Sequence, residues 1–351
     1  GKFALCYDSK RGRVVLMGGD CSGVPANSPL FFDVATATWS RPYPDDTYET
    51  YKVNENGFLV SGEKGDRPWV VPIFSGLVYD PERDELVLCN IDFCGNPLFI
   101  KDKVDVKDPA TGKVSTMFKG VKVRKGAYYS EQPIWVMNLE KNQWSMLAAM
   151  RPTEHGHAFR PAVYIPELKT IVGSSWGLYE LGGDRSKLER LPGRAGQGCS
   201  SGVYDLKNKV LLFYGLDYGI GNDLCAYDRV QKTPPKQMPT PGARPPKSGF
   251  IPVTYDVGSG RTVAVVFDGA DKPDVAGTWL YDYAADIWQR MPDGNLTFEK
   301  NTWQWGKPIG YDVNMVYDSC HKICLLVARS GNPAKPQPTV WALKIDESKL
   351  K

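Results

Sequence analysis

Six times along this chain a tyrosine and a turn-forming residue lead through a short polar stretch into a run of aliphatic residues. The turns are Tyr7-Asp8, Tyr79-Asp80, Tyr204-Asp205, Tyr255-Asp256 and Tyr317-Asp318, with a degenerate copy at Tyr164-Ile165-Pro166. The runs that follow them are VVLMGG, ELVLCN, TIVGSS, VLLFYG, TVAVVF and ICLLVA. An aspartate at a strand end can hydrogen-bond backbone N–H groups two residues on, which starts a tight turn. An apolar run this short, bounded by turn signals, suits a strand buried on both faces better than a helix. One copy would be a hairpin. Six predict a repeat architecture.

Each unit continues alike. The second strand runs into a glycine-bearing loop, as in GGDCSG, CGN, GSSWG, YGLDYGIGN, FDGADKPD and RSGN. A third strand then ends in an aromatic or apolar residue and an acid: FFD (31–33), LYE (178–180), AYD (226–228) and LYD (280–282). Tryptophan follows at Trp39, Trp144 and Trp288, where a fourth strand would begin. Four short strands with a glycine loop between the second and third read as a propeller blade. The units resemble kelch repeats, as in kelch-type propellers and the central domain of galactose oxidase. The resemblance covers about residues 3–45, 74–149, 159–193, 199–240, 248–292 and 310–346.

The expected fold is therefore all-β, with residues 1–351 in a single kelch-like β-propeller and inserted loops at about 46–73 and 101–133. The second insertion, around VKDPATGKV, reads as a hairpin. Six repeat units are counted, and the last lacks a clear fourth strand after TVWALKID. Segment 46–73 falls outside the template and is either loop or part of another blade; seven blades are expected, one of them concealed or truncated, with six as the alternative.

Composition removes several classes. Hydrophobic residues make up 42%, enough for a substantial core, and the net charge is +3 with Lys and Arg scattered along the chain. Nothing in that pattern recruits nucleic acid or an anionic membrane surface. No stretch approaches the roughly eighteen consecutive apolar residues of a membrane span. Eight cysteines are present; Cys89 and Cys94 flank a loop, and Cys320 and Cys324 flank a hairpin turn. Both spacings suit small disulfides, and at least one of the two is expected to form in a secreted protein. A zinc site finds little support, with no CxxC and three histidines. A sequon at Asn295-Leu296-Thr297, and a chain opening on Gly1 rather than Met, fit an extracellular protein whose leader lay upstream.

What the resemblance implies for chemistry is first a place. In kelch-type propellers the loops joining second to third strands, and those joining one blade to the next, share one face near the axis. The stretch RPTEHGHAFRP (151–161) lies in such a blade-to-blade connection and holds His155 and His157, two of the three histidines, with Arg160 close by. Histidine titrates nearest neutrality and suits proton transfer. Kelch repeats also carry a Gly-His before the first strand for packing, so both readings stand at His157. His321 falls inside a hairpin turn, away from the shared face. The loop aromatics Trp176, Tyr218, Trp303, Trp305 and Tyr311 can stack on sugar rings or close a propeller core, and Arg244 and Lys247 add positive charge.

Copper-radical oxidation of the galactose oxidase kind finds no ligand set, because the chain has no Tyr-His dipeptide and no suitable late histidine. The propeller polysaccharide lyases, of the ulvan lyase and rhamnose–glucuronate lyase type, are similar in ring and in residue inventory. That similarity implies a Tyr or His that removes the C5 proton of a uronate, a His or Tyr that protonates the leaving oxygen, and an Arg that neutralises the carboxylate. The C5 proton is acidic only when the carboxylate charge is offset, which is why a cation must sit beside the base. The expected catalytic residues are His157, Tyr218, Arg244 and His155. Arg160, Lys247, Trp176, Trp303, Trp305 and Tyr311 are expected to bind substrate. The inventory calls for no cofactor and no catalytic metal, and leaves room for a structural cation. The expected partner is an acidic polysaccharide or oligosaccharide, taken by a monomer with no nucleic-acid or membrane role. The alternative is a non-catalytic propeller that binds a glycan or a protein on the same loop face.

Overall fold

The Tyr-Asp turns close in one recurring geometry in the computed structural model of the protein. The structure describes residues 3–18, 27–47, 50, 52–54, 59–69, 73, 75–89, 103–107, 114–118, 133–150, 161–174, 177–193, 201–214, 224–246, 251–267, 275–292, 296–297, 313–328 and 338–350. In the first turn Asp8 Oδ1 accepts from the Arg11 amide at 3.2 Å, and the chain passes into the left-handed region at Gly12, φ 63°. Asp80, Asp205, Asp256 and Asp318 accept from Glu82, Asn208, Ser259 and Cys320 amides at 3.0, 2.9, 2.7 and 2.9 Å. The left-handed residue returns at Asp84, Lys209, Gly260 and Lys322, and also at Lys169 in the degenerate copy. The same conformation closes outer turns at Ala37, Asn142 and Asp286. An L-residue in that region is strained by roughly 1–2 kcal/mol, a strain glycine avoids. Ala37 is exposed, with φ 53° and no polar side chain to offset the strain. The Ala37→Gly variant is therefore expected to gain up to about 1 kcal/mol of stability, read as a raised Tm.

These turns join the strands of six antiparallel sheets. Blade one holds β1 (Ala4–Asp8), β2 (Arg13–Met17), β3 (Leu30–Asp33) and β4 (Thr38–Ser40), paired in that order. A small sheet follows, of β5 (Lys52–Val53), β6 (Leu59–Ser61) and β7 (Arg67–Pro68). Blade two begins with β8 (Leu77–Asp80) and β9 (Glu85–Leu88). The hairpin β10 (Lys103–Lys107) and β11 (Val114–Phe118) interrupts it, and β12 (Pro133–Asn138) and β13 (Gln143–Met150) complete it.

Blade three is β14 (Ala162–Ile165), β15 (Thr170–Ser174), β16 (Leu178–Leu181) and β17 (Leu188–Leu191). Blade four is β18 (Ser201–Asp205), β19 (Val210–Tyr214), β20 (Leu224–Tyr227) and β21 (Lys236–Gln237). Blade five is β22 (Val253–Asp256), β23 (Arg261–Phe267), β24 (Val275–Asp282) and β25 (Ile287–Arg290), with β26 (Leu296–Thr297) against β24. Blade six has β27 (Val313–Asp318), β28 (Ile323–Ala328) and β29 (Thr339–Leu343). A 3-10 turn, Glu347–Lys349, follows it.

The first strands touch in a closed cycle, β1–β8–β14–β18–β22–β27 and back to β1. The ring is a six-bladed β-propeller, and the expectation of a seventh blade is corrected. Segment 46–73 escapes the cycle because its strands are two or three residues long and β1 lies directly against β8. The small sheet instead adds Val60, and with it Trp69 and Ile73, to the core between blades one and two. The hairpin expected within 101–133 is present as β10 and β11.

The aliphatic runs now have their cause. Each blade is flanked by a core on both faces, and alternate residues of a second strand enter different cores. Val210, Leu212 and Tyr214 of β19 join the cluster between blades four and five, while Leu211 and Phe213 join that between three and four. In β28, Cys324, Leu326 and Ala328 face blade five and Leu325 and Val327 face blade one. Six such clusters fill the six boundaries between neighbours.

The tyrosines have theirs as well. Tyr7 Oη donates to Asp318 in the turn of the preceding blade, and the Tyr255 hydroxyl accepts from the Lys207 amide at 3.2 Å. Tyr204 reaches Glu167 and Tyr317 reaches the Gly258 backbone in the same sense. In these four copies of the motif the aspartate closes its own turn and the tyrosine clips to its neighbour's, whereas Tyr79 donates to Asp84 of its own turn at 3.1 Å. Burial first, and the charge of Asp205 next, push the Tyr255 hydroxyl up to about 12.

The disulfide expected at Cys320 and Cys324 does not form; both are thiols. Cys320 sits exposed at the turn, whereas Cys324 pairs with Tyr317 in the ladder and turns into the core between blades five and six. The other expected pair includes Cys94, which lies outside the described residues.

Candidate functional site

Antiparallel blades sort the connections to two ends of the ring. At one end lie the six first-to-second turns, each four residues long between strand ends such as Asp8 and Arg13 or Asp318 and Ile323. The third-to-fourth turns share this end, and charges here clamp neighbouring blades. Arg11 of blade one donates to Asp84 of blade two through both terminal nitrogens, at 2.6 and 2.7 Å, and Lys10 adds a third contact at 2.7 Å. Arg185 of blade three reaches Asp80 and, at 2.6 Å, Glu85 of blade two. Arg229 of blade four holds Glu180 of blade three, with Nε donating at 2.6 Å. Arg261 of blade five holds Glu347 at 2.7 Å. This end is a belt of inter-blade clamps. Sequence reading missed it because each pair joins residues about a blade apart with no local signature.

The Arg11 guanidinium, joined by Lys10 and the Tyr79 hydroxyl, holds the Asp84 carboxyl well below the usual carboxylate range. A carboxyl depressed on folding contributes stability that is full above its unfolded value, near about 4, and fades as pH falls through the lower folded value. Asparagine tolerates the left-handed backbone of residue 84. The Asp84→Asn variant is expected to lose about 1.5–3 kcal/mol at neutral pH. That deficit should shrink as pH falls below about 4, which urea titrations of both proteins at several pH values would measure.

The other end is where second strands leave and third strands return, from Met17 to Leu30, Leu88 to Pro133, Tyr214 to Leu224, Phe267 to Val275 and Ala328 to Thr339. Blade-to-blade connections, such as Met150 to Ala162 and Arg290 to Val313, open on the same end. Most sequence-derived candidates belong to these connections. His155, His157, Arg160, Trp176, Tyr218, Lys247, Trp303, Trp305 and Tyr311 lie outside the described residues.

Arg244 is described. It is exposed, and its Nε donates to the Thr240 carbonyl at 2.6 Å while Nη2 donates to the Pro239 carbonyl. Two of its five N–H donors thus brace its own loop. That loop is fixed to blade five, since the Thr240 amide donates to Asp286 at 3.2 Å. The field of Arg244 also reaches Tyr214 at the end of β19, whose hydroxyl burial pushes upward and Arg244 draws back. Tyr214 in turn packs on Trp288, with ring centroids 5.1 Å apart.

His321 lies where the sequence put it, in a turn at the clamp end, with Nδ1 2.7 Å from Asp318 Oδ2 and its side chain 44% exposed. Among the described residues no three His, Cys, Asp or Glu side chains converge as a metal would need.

The fold and its two ends define the class: a six-bladed β-propeller whose long connections gather at one end. No family model matches the sequence, and no curated protein does. Among solved structures the chain is similar to TolB from Acinetobacter baumannii, at 10% identity and a TM-score of 0.43. The match covers 82% of this chain and 53% of that one, so this chain spans about half the length of the TolB chain. The class assignment rests on the closed cycle of first strands.

Proposed function

We propose that the protein is an extracellular carbohydrate-active propeller of kelch type that holds an acidic polysaccharide at its loop-bearing end and cleaves it by β-elimination. The observation that carries this reading is the asymmetry of the ring. One end is consumed by uniform four-residue turns and inter-blade ion pairs, which leaves the variable connections of the other end for binding. Those connections hold the histidine pair, most of the cationic candidates and the loop aromatics.

On this reading His157 removes the C5 proton of a uronate and Tyr218 protonates the leaving oxygen, with His155 beside them. Arg244, using the donors not engaged by Thr240 and Pro239, offsets the carboxylate charge, and Arg160 and Lys247 bind the neighbouring acid groups. Trp176, Trp303, Trp305 and Tyr311 supply flat apolar faces for sugar rings. Neutralising the carboxylate makes the C5 proton removable near neutral pH by a histidine.

A second reading is a propeller that binds an acidic glycan or a protein without cutting it. The bracing of Arg244 onto its own loop favours it, because a guanidinium held that way positions a loop as readily as a substrate. Incubation with a panel of uronate polysaccharides separates the two. A rise in ultraviolet absorbance from the unsaturated product supports the lyase. Retardation of a polysaccharide in affinity electrophoresis with no such product selects the binding propeller, and neither result removes the carbohydrate reading.

A further inference from the structure

The belt of clamps changes character over blade four. In blade three the turn cations are paired: Lys169 with Glu82 at 2.7 Å, Arg185 with Asp80 and Glu85, and Lys187 with Glu189 at 3.0 Å. Blade four presents Lys207 and Lys209 on its first-to-second turn and Lys232 on its third-to-fourth turn, all three exposed. Among the described residues none of these three ammonium groups enters an ion pair. Positive charge is left over there.

The same ground carries apolar side chains in water. Turn tips are ordinarily polar. Among the described residues the exposed large hydrophobic side chains are Leu168, Leu206, Val230 and Val257. All four stand on turns at the clamp end, in blades three, four, four and five. Leu206 and Val257 directly follow the motif aspartates of their blades, where blades one, two and six have Ser9, Pro81 and Ser319. Isolated exposed aliphatics need no explanation, but a group of them rimmed by polar residues marks an interaction site.

Neighbouring turns hold these residues together. Tyr204 of blade four reaches Glu167, the residue before Leu168. The Lys207 amide donates to Tyr255 of blade five at 3.2 Å, and the Lys207 stem lies 3.4 Å from where a Cβ on Gly260 would stand. Half-buried Tyr283 of blade five lies within reach of both blade-four turns, since burial first, and then the charges of Asp228 and Asp205, push its hydroxyl up.

Unpaired cations around exposed aliphatics complement an acidic segment with apolar anchors. A flat anionic membrane is a poorer match, because exposed Glu140, Glu167 and Asp184 stand on turns of the same end and would face it too. We propose that the clamp end of blades three to five is a docking surface for an acidic segment of a partner protein. Its apolar side chains seat among Leu168, Leu206, Val230 and Val257, and its carboxylates meet Lys207, Lys209 and Lys232. This surface lies at the opposite end of the ring from the carbohydrate reading and stands apart from it.

The test pans a phage-displayed random peptide library on the 351-residue protein, with counter-selection on the Leu206→Ser/Lys207→Glu double variant. The expected result is enrichment of peptides that carry Asp or Glu close to Leu, Phe or Trp. In fluorescence anisotropy these should bind the unaltered protein, more weakly as salt rises, and lose about tenfold or more in affinity on either single variant. Both side chains are exposed, so each variant should keep its Tm; Val230→Ser, on the separate turn, serves the same comparison if Leu206→Ser lowers it. Failure to enrich discriminating peptides, or enrichment of peptides without acids, overturns the proposal. Binding to phosphatidylserine vesicles that Lys207→Glu abolishes overturns it in favour of a membrane. A dimer in sedimentation that Lys207→Glu dissociates overturns it by making a second copy of this chain the occupant.

Discussion

If the ring is a uronate lyase, the His157→Ala protein is expected to lose turnover on a uronate polysaccharide by roughly 10²–10⁴ while its Tm stays where it was. Histidine is scarce in this chain, and two of the three copies fall in the single connection RPTEHGHAFRP with arginine on both sides. His155 is the other imidazole of that connection, and loss of the base should appear in kcat. If His157 is a packing residue of the repeat, the outcome reverses. Stability would then fall by about 1–3 kcal/mol and the folded fraction would keep its activity. A destabilised and fully active variant ends the catalytic claim and moves the binding propeller ahead.

The largest effect on stability is expected at Arg185. Its guanidinium, 7% exposed, lies between Asp80, which is 1% exposed, and Glu85, which is 21% exposed. Asp80 also accepts from the Glu82 and Arg83 amides at 3.0 and 3.3 Å, so its carboxylate is fixed in place. Truncation to alanine would leave two carboxylates facing each other with buried Asp80 held only by the longer Arg83 contact at 3.4 Å, and removal of one partner of such a buried pair costs about 3–5 kcal/mol. Urea unfolding of Arg185→Ala gives the value directly. A loss below about 1 kcal/mol would place the pair with ordinary surface ion pairs and remove the view that these arginines clamp the blades.

The strands and turns were legible in the sequence because their causes are local. An aspartate that closes its own turn, and an aliphatic run long enough for one strand, both lie within about ten residues, and the tryptophans at 39, 144 and 288 did open fourth strands. The blade number was not legible. It is set where Tyr7 meets Asp318, a contact between residues 311 apart, and no segment in between announces whether six or seven sheets complete the circle. Segment 46–73 does form strands, and only their shortness and their place outside the cycle keep it from counting as a blade. The Cys320–Cys324 pairing failed on direction, since a spacing of four says nothing about one thiol facing solvent and the other the core. Of the candidate site, position along the chain was readable and convergence was not. Arg244 shows why: its hydrogen bonds go to carbonyls four and five residues back, and a loop that folds onto itself leaves no trace in composition.

Among the described residues no strand of blade one pairs with a strand of blade six, and the join between the two is made by side chains. Phe3, Leu5, Val14, Leu16 and Phe32 meet Val316, Leu325 and Val327, and Tyr7 reaches Asp318. Such a join works as a clasp rather than a weld. Every other boundary links blades adjacent in sequence and can zip as the chain extends, but this one waits for the most distant segments, the slowest contacts to find by loop-closure entropy. Until it shuts, the inner faces of β1 and β27 remain sticky surfaces, and the growing arc can recruit a neighbour's arc in place of its own far end. Once shut, the clasp is the boundary at which the circle would first part under load, so the durability of the whole ring is tuned by a few side chains around Tyr7 and Asp318.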